Sequence, residues 1–336
     1  MKRLEICSYG PLPRCVRFAE SDLPAVGDHD ILVKVVAASV NPIDYKLVHG
    51  DLRRVHRLDF PAPFGFDCCG RVEALGSKVV GYEAGDLVYA RAPRARMGTF
   101  AEFVAIESRY VAKAPTSLSA QAAASLPLVA LTTVQALVDR AKARKGQSIL
   151  IHAGSGGLGS FAIQYAKREL GLDVTTTTSS KNALWVRELG ADVVVAYDRE
   201  NYASLPARYD IVFDTLGGST TSASFSVLKP GGTVVSVAGP PDRAFARQVG
   251  ATPALSFVLW CISLPMELRA RRIGGHYFRF LTESSGAQLE HVGRLVDAGK
   301  IRTVVEKIYP FDQAIEALQY AATGRAKGKL VIQVAT

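Results

Sequence analysis

The chain reads as an α/β protein in two lobes, one β-rich and one built as a doubly wound parallel sheet. Three observations predict this. Up to about Tyr110, short apolar or alternating runs are broken by Gly and Pro. From Ser119 onward, apolar runs alternate with helical stretches, the pattern of a parallel sheet covered on both faces. Between them in character lies a strand, Ser148–His152, that enters a glycine-rich turn and leaves it as a helix.

In chain order, Ile31–Ala38, Gly70–Leu75 and Asp86–Ala90 read as strands punctuated by Gly76, Gly81 and Gly85. Phe100–Ala105 alternates apolar and polar residues, as a half-buried strand does. An alanine-rich helix covers Ser119–Ser125, and after Pro127 a second runs from Thr132 to Arg140. The alternating part then gives strands Ser148–His152, Val174–Thr178, Asp192–Val195, Tyr209–Asp214 and Thr233–Ala238, with Ile273–Phe280 as a sixth. Helices are expected at Ser160–Lys167, at Ala183–Leu189 and around Thr221–Leu228. The apolar run Ala254–Met266 is too short to span a bilayer and reads as a buried helix or pocket wall. From Gln288 the tail carries two helical stretches and ends on Lys329–Val334 as a strand. There is no internal repeat.

The 336 residues suffice for two domains, expected at 1–124 with 283–336 and at 125–282. A hydrophobic share of 48% and a charged share of 21% are those of a soluble globular chain. The start, Met1-Lys2-Arg3-Leu4-Glu5, lacks the apolar stretch of a signal peptide, so a cytoplasmic, membrane-free protein is expected. The net charge of +9 is dispersed in small clusters, with no aromatic-basic motif, so no nucleic-acid partner is expected. Cys7, Cys15, Cys68, Cys69 and Cys261 form no C-x-x-C pair, which suits reduced thiols.

Gly154, Gly156 and Gly159 fit G-x-G-x-x-G in the strand–turn–helix context that the fingerprint requires. Gly154, Ser155, Gly156, Gly157, Leu158 and Gly159 are therefore expected to cradle a dinucleotide pyrophosphate at a helix N-terminus. A fold of two such lobes is expected to hold its ligand where they meet. The second strand ends in Thr178-Ser179-Ser180-Lys181, hydroxyls and a cation where an NAD-selective fold has an acid. Ser179, Ser180 and Lys181 can donate to a 2′-phosphate, which points to NADP(H); alternatively they form a polar turn that caps the next helix. Gly239, after Val235–Ala238, is expected at a strand end beside the nicotinamide, or else is an ordinary turn residue before Pro240.

With these residues in view the chain resembles the medium-chain dehydrogenase/reductase superfamily, and within it the zinc-independent quinone oxidoreductase branch. The likeness is carried by Ala37–Asp44, Pro63–Val72, Gly85–Val88, Gly98–Val104, Leu131–Leu137, the glycine turn, Leu189–Asp192 and Gly328–Val331. It implies a GroES-like catalytic domain and a Rossmann domain, with the tail returning to the former. Zinc-dependent relatives use Cys, His and Cys on the catalytic metal. Asn41 stands at the first position, Gly65-Phe66-Asp67 at the second, and no cysteine lies between Cys69 and Cys261. No metal is expected, although His49, His56, Asp67, Cys68 and Cys69 keep an alternative site open.

The resemblance implies that Asn41 lies near the nicotinamide and a substrate carbonyl, that Thr132 contacts the nicotinamide end, and that Asp44 orients their loop. Asn41 and Asp44 also suit an Asx-type turn around Pro42. Tyr45 and Lys46 are candidate donors, and Tyr197 is a cofactor contact by family position. The activity expected is hydride transfer from NADPH to a quinone or an α,β-unsaturated carbonyl, in a homodimer. Ala254–Phe280 is expected to line the substrate cleft or a dimer contact. Enoyl-thioester reduction remains a rival, as does a non-catalytic NADPH-binding protein with structural, regulatory or RNA-binding duties.

Overall fold

A computed structural model describes residues 1–335 and divides the chain into two units. One holds Met1–Leu131 and the segment from Glu283 onward; the other holds Thr132–Thr282. The first unit opens with β1 (Lys2–Ile6), β2 (Val16–Glu20), β3 (Asp30–Val40), α1 (Pro42–His49), β4 (Ala62–Pro63), β5 (Asp67–Leu75) and β6 (Leu87–Arg91). β7 (Phe103–Glu107), β8 (Val111–Lys113), α2 (Ala120–Ala124) and α3 (Pro127–Val134) follow.

The second unit contributes β9 (Ser148–Ile151), α4 (Gly157–Gln164), β10 (Asp173–Thr178), α5 (Ala183–Glu188), β11 (Val193–Ala196) and β12 (Tyr209–Asp214). It continues with α6 (Ser219–Ser224), β13 (Leu228–Ser236), α7 (Arg243–Gln248), α8 (Pro253–Arg272) and β14 (His276–Arg279). The tail returns to the first unit as α9 (Gly286–Asp297), β15 (Val305–Pro310), α10 (Ala314–Ala322) and β16 (Lys329–Gln333).

In the first unit, a seven-stranded sheet runs β15-β16-β3-β5-β6-β8, with β7 also on β3, beside a three-stranded sheet β2-β1-β4. Leu4, Ile31, Val33, Phe64, Phe66 and Phe100 are buried in its core. β16 pairs antiparallel with β3, Leu330 opposite Val40, so the last strand delivers Lys329 to the end of β3 where Asn41 begins the next loop. The second unit is a six-stranded, all-parallel sheet in the order β11-β10-β9-β12-β13-β14. Its order reverses direction between β9 and β12, the switch point where such sheets bind nucleotides at their carboxyl ends.

Three expectations change. The alternative of an Asx-type turn at Asn41 and Asp44 becomes a helix start, because α1 begins at Pro42. Proline needs no N–H partner at a helix start, and the Asp44 carboxylate accepts the Asn41 N–H at 2.7 Å. The helix expected from Thr132 begins five residues earlier, at Pro127, and its last part, Gln135–Arg140, is π-helical. The apolar run at Ala254 does form a helix, but one that is only half buried. Leu259, Ser263, Met266 and Ala270 face inward at helical spacing, while Phe257, Val258, Ile262 and Leu268 face solvent. No helix among the described residues is long and apolar enough to cross a membrane.

Candidate functional site

The glycine turn joins β9 to α4. Ala153 takes a positive φ of 55°, and Gly156 caps the helix at φ −80° with no side chain bonded to its first-turn N–H groups. Those N–H groups and the helix dipole suit an anion. The three fingerprint glycines do different work. A Cβ on Gly154 would lie 2.1 Å from Thr176 Oγ1, and one on Gly159 would lie 2.3 Å from the Ala153 carbonyl oxygen. Packing alone requires glycine at both. A Cβ on Gly156 would meet only the Ala153 oxygen, at 3.4 Å. The folded chain leaves room for a side chain there. Ser155 Oγ accepts from Thr178 Oγ1 at 2.9 Å, which ties the turn to the end of β10. Gly157 and Leu158 open the first turn of α4.

Beyond β10, Ser179 is buried and Lys181 is exposed. Ser180 gives its N–H to Asp198 Oδ1 at 2.8 Å and its hydroxyl to Asp198 Oδ2 at 2.6 Å. These bonds hold the Asp198 carboxyl below its ordinary range. The strand end therefore has an acid that the local sequence does not show, supplied from the residue after the exposed Tyr197. Gly239 is enclosed: a Cβ would strike Tyr277 Oη, Ser236 Oγ and Thr221 Oγ1 within 3.0 Å. Packing accounts for glycine there. Asp214 ties the end of β13 to the turn after β12, accepting from Thr221 and Ser236 hydroxyls at 2.5 and 2.8 Å and from the Leu216 and Gly217 N–H groups. Thr132 is buried, its hydroxyl 2.6 Å from that of Thr282.

In the first unit, Asn41, Asp44, Asp67, Arg91 and Lys329 are all buried. Asn41 Nδ2 donates to Asp67 Oδ2 at 2.9 Å and to the Ser39 carbonyl at 3.3 Å, while its Oδ1 accepts from Lys329 Nζ. Lys329 Nζ also donates to the Val40 carbonyl at 3.2 Å and stands 3.6 Å from Asp67 Oδ2. Burial pulls the Lys329 ammonium below its usual pKa, and Asp67 and Asp44 pull it back. Burial pushes the Asp44 carboxyl up to about 8, opposed by the Asn41 N–H and reinforced by Asp67. Burial likewise lowers the Arg91 guanidinium to about 10; it lies over the Phe66 ring and donates to Ser284 Oγ at 2.9 Å. Tyr45 is half buried and its phenol is raised, by desolvation and then by Asp51 and Asp44. Lys46 is half buried on the same turn.

Zinc does not suit these donors. Asn41 and Asp67 offer amide and carboxylate oxygen where zinc favours thiolate and imidazole, and an ammonium already lies against both. Burial raises Cys69 to about 12 and Cys68 well above its ordinary value, so neither is poised as a thiolate. Among the described residues, no three His, Cys, Asp or Glu side chains converge as ligands.

Sequence reasoning missed Lys329, Arg91 and Asp198 and weighed Asp67 only as a metal ligand. The first two and Asp67 share a visible signal, a charge inside an apolar strand: Gly328-Lys329-Leu330-Val331, Tyr89-Ala90-Arg91-Ala92, Phe66-Asp67-Cys68.

Comparison with known proteins agrees with the geometry. Residues 27–116 match the alcohol dehydrogenase GroES-like domain, and residues 189–332 match a family described as zinc-binding dehydrogenase. A 2-methylene-furan-3-one reductase of Solanum lycopersicum is 32% identical, over 99% of this chain and 79% of that protein. The chain belongs to the medium-chain dehydrogenase/reductase superfamily. An NADPH-dependent alkenal/one oxidoreductase of Arabidopsis thaliana chloroplasts is 33% identical over 92% of this chain and 73% of its own. The quinone oxidoreductase of Coxiella burnetii superposes with a TM-score of 0.86 at 31% identity, covering 99% of both chains. This superfamily member is thus an oxidoreductase with a GroES-like and a Rossmann-like domain, and its relatives act on quinones, alkenals and enones.

Proposed function

We propose that this chain transfers hydride from NADPH to a quinone or an α,β-unsaturated carbonyl without zinc, as a homodimer. The observation that carries the reading is the set of groups around Asn41, an amide, two carboxyls and an ammonium in place of thiolates and imidazole. Oxidising a simple alcohol calls for a Lewis acid to stabilise an alkoxide. A conjugated acceptor spreads the incoming charge over an enolate or hydroquinone anion, for which hydrogen-bond donors suffice.

NADPH, when bound, supplies the hydride. The open side of Gly156 and the first turn of α4 take the pyrophosphate, with Ser179, Lys181 and Tyr197 on the adenosine side. Thr132 serves the nicotinamide end, while Asn41 and Asp44 fix the loop that presents Tyr45 and Lys46 as donors. A relative named as an NADPH-dependent alkenal/one oxidoreductase supports the reading.

The test is NADPH and NADH oxidation against 1,4-naphthoquinones and 2-alkenals, with metal content measured on the same sample. NADPH-dependent turnover at sub-stoichiometric zinc is expected. A preference for NADH overturns the role of Lys181, and one zinc per chain overturns the metal-free chemistry. Binding of NADPH with no turnover on either panel favours the non-catalytic alternative.

A further inference from the structure

The place beside Asn41 that does not suit zinc is filled by a cation of the chain's own. Lys329 Nζ has three N–H bonds to give and three acceptors around it: the Val40 carbonyl, Asn41 Oδ1 and the Asp67 carboxylate. The contacts also fix which way the Asn41 amide faces. A flipped amide would set its NH2 against the ammonium and its oxygen against both Asp67 and the Ser39 carbonyl. Strand register makes the placement inflexible, since Leu330 pairs with Val40 one residue away. The residue before the lysine is held too: Gly328 has φ 85°, and a Cβ there would lie 2.5 Å from the Val304 carbonyl.

Apolar packing would fill this site at less cost. A buried ion pair is often replaced by apolar side chains with no loss of stability, so stability by itself does not call for lysine at 6% exposure. What the ammonium adds is orientation and charge. The titratable groups facing it are Asp67 from β5 and Asp44 from α1, with Arg91 from β6 facing the same two carboxyls.

We propose that Lys329 is a positioning residue for the reduction, a fixed internal cation that stands in for a metal by locking the Asn41 amide and, through it, the loop that begins α1. This rests on the reading that the Asn41 loop serves hydride transfer, and the test separates the two. The chain's asparagines are Asn41, Asn182 and Asn201. Protein labelled with 15N-asparagine therefore shows a small set of side-chain amide signals, with Asn182 and Asn201 in the other unit as internal references. The variants are Lys329→Arg, Lys329→Met, Asp67→Ser and the double variant Lys329→Met/Asp67→Ser; none adds an asparagine, and Asp67→Ser alone reports what losing Asn41's own carboxylate partner does. The double variant also removes Asp67, the carboxylate 3.6 Å from the ammonium, and it carries the test if Lys329→Met alone does not fold.

The double variant is expected to melt within a few degrees of the wild type and to bind NADPH within twofold, by nicotinamide fluorescence. Its Asn41 signal shifts beyond that of Asp67→Ser while the references stay, and kcat drops about 10- to 100-fold below that of Asp67→Ser, as when an orienting partner is removed. Lys329→Arg, which keeps the charge, retains more kcat than the double variant. An Asn41 signal or a kcat in the double variant no different from that of Asp67→Ser, or an arginine variant no faster than the double variant, overturns the proposal. A wild type that turns over no acceptor overturns the reductase reading instead, and the amide signal still decides whether Lys329 holds Asn41.

Discussion

In the proposed NADPH site, Lys181 and Asp198 would pull the nucleotide preference in opposite directions across the same short stretch of backbone. Lys181 is exposed at the end of β10, and the Asp198 carboxylate is held there by two bonds from Ser180. A 2′-phosphate bound there would gain from the first and be repelled by the second. Lys181→Met is expected to raise the KM for NADPH by about 10- to 100-fold, the worth of one charge-assisted hydrogen bond, and to leave NADH unchanged. Asp198→Asn should move the NADPH/NADH ratio the other way; steady-state kinetics with both cofactors checks the pair. Asp44 gives a second prediction at this scale. Its folded-state pKa of about 8 lies above the ordinary 3.8, so the folded chain keeps a proton that the unfolded chain releases. The stability it contributes is complete below pH ~4 and is lost as pH rises through ~8. Asp44→Asn can still accept the Asn41 N–H but does not titrate. Its Tm relative to the wild type should therefore rise steadily between pH 5 and 8, and a flat difference would show that Asp44 ionises normally.

At the scale of elements, the β9–turn–α4 unit is where sequence reading served best. Strand, glycines and helix are local features, and local backbone rules decide them. Yet G-x-G-x-x-G does not say which glycine the ligand needs, because that depends on Thr176 and Ala153 packed behind the turn. Gly156→Ala is expected to fold with an unchanged Tm and to weaken NADPH binding at least tenfold, by filling the open side. Gly159→Ala, with its Cβ 2.3 Å from a backbone oxygen, should instead cost about 1–3 kcal/mol of stability, seen as a lower Tm in the absence of cofactor. Equal melting and equal binding in the two variants would remove the distinction. α1 was hidden for a related reason. Asn-Pro-x-Asp is equally a turn or a helix start, and what settles it is the burial of Asp44 with Leu47 and Val48, the latter two in the core of this unit. β10 shows the converse: four consecutive threonines are buried in it because Thr176, Thr177 and Thr178 hydroxyls all find partners. β-branching identified that strand even without apolar side chains.

At the scale of the whole molecule, long-range pairing set the limit of what the sequence showed. The alternation of strands and helices announces a parallel sheet, but nothing local says that Lys329 will meet Asn41, 288 residues earlier in the chain. The same limit applies to α8, whose apolar run does not reveal that one face is left without cover. Phe257 is 62% exposed, and Val258, Ile262 and Leu268 are exposed on the same helix. α8 leads into β14, the edge strand of the sheet, whose outer N–H and C=O groups pair with no further strand among the described residues. An apolar helix face beside an open strand edge matches what a two-fold contact between copies needs, since strand pairing gives register and the apolar face gives desolvation. The homodimer proposed above is therefore expected to close through α8 and β14. Phe257→Asp/Ile262→Asp should sediment as a monomer at concentrations where the wild type is a dimer, with the melting of the Rossmann-like unit little changed, because neither side chain belongs to its core. A wild type that sediments as a monomer removes the homodimer, and a double variant that stays dimeric moves the contact to another face.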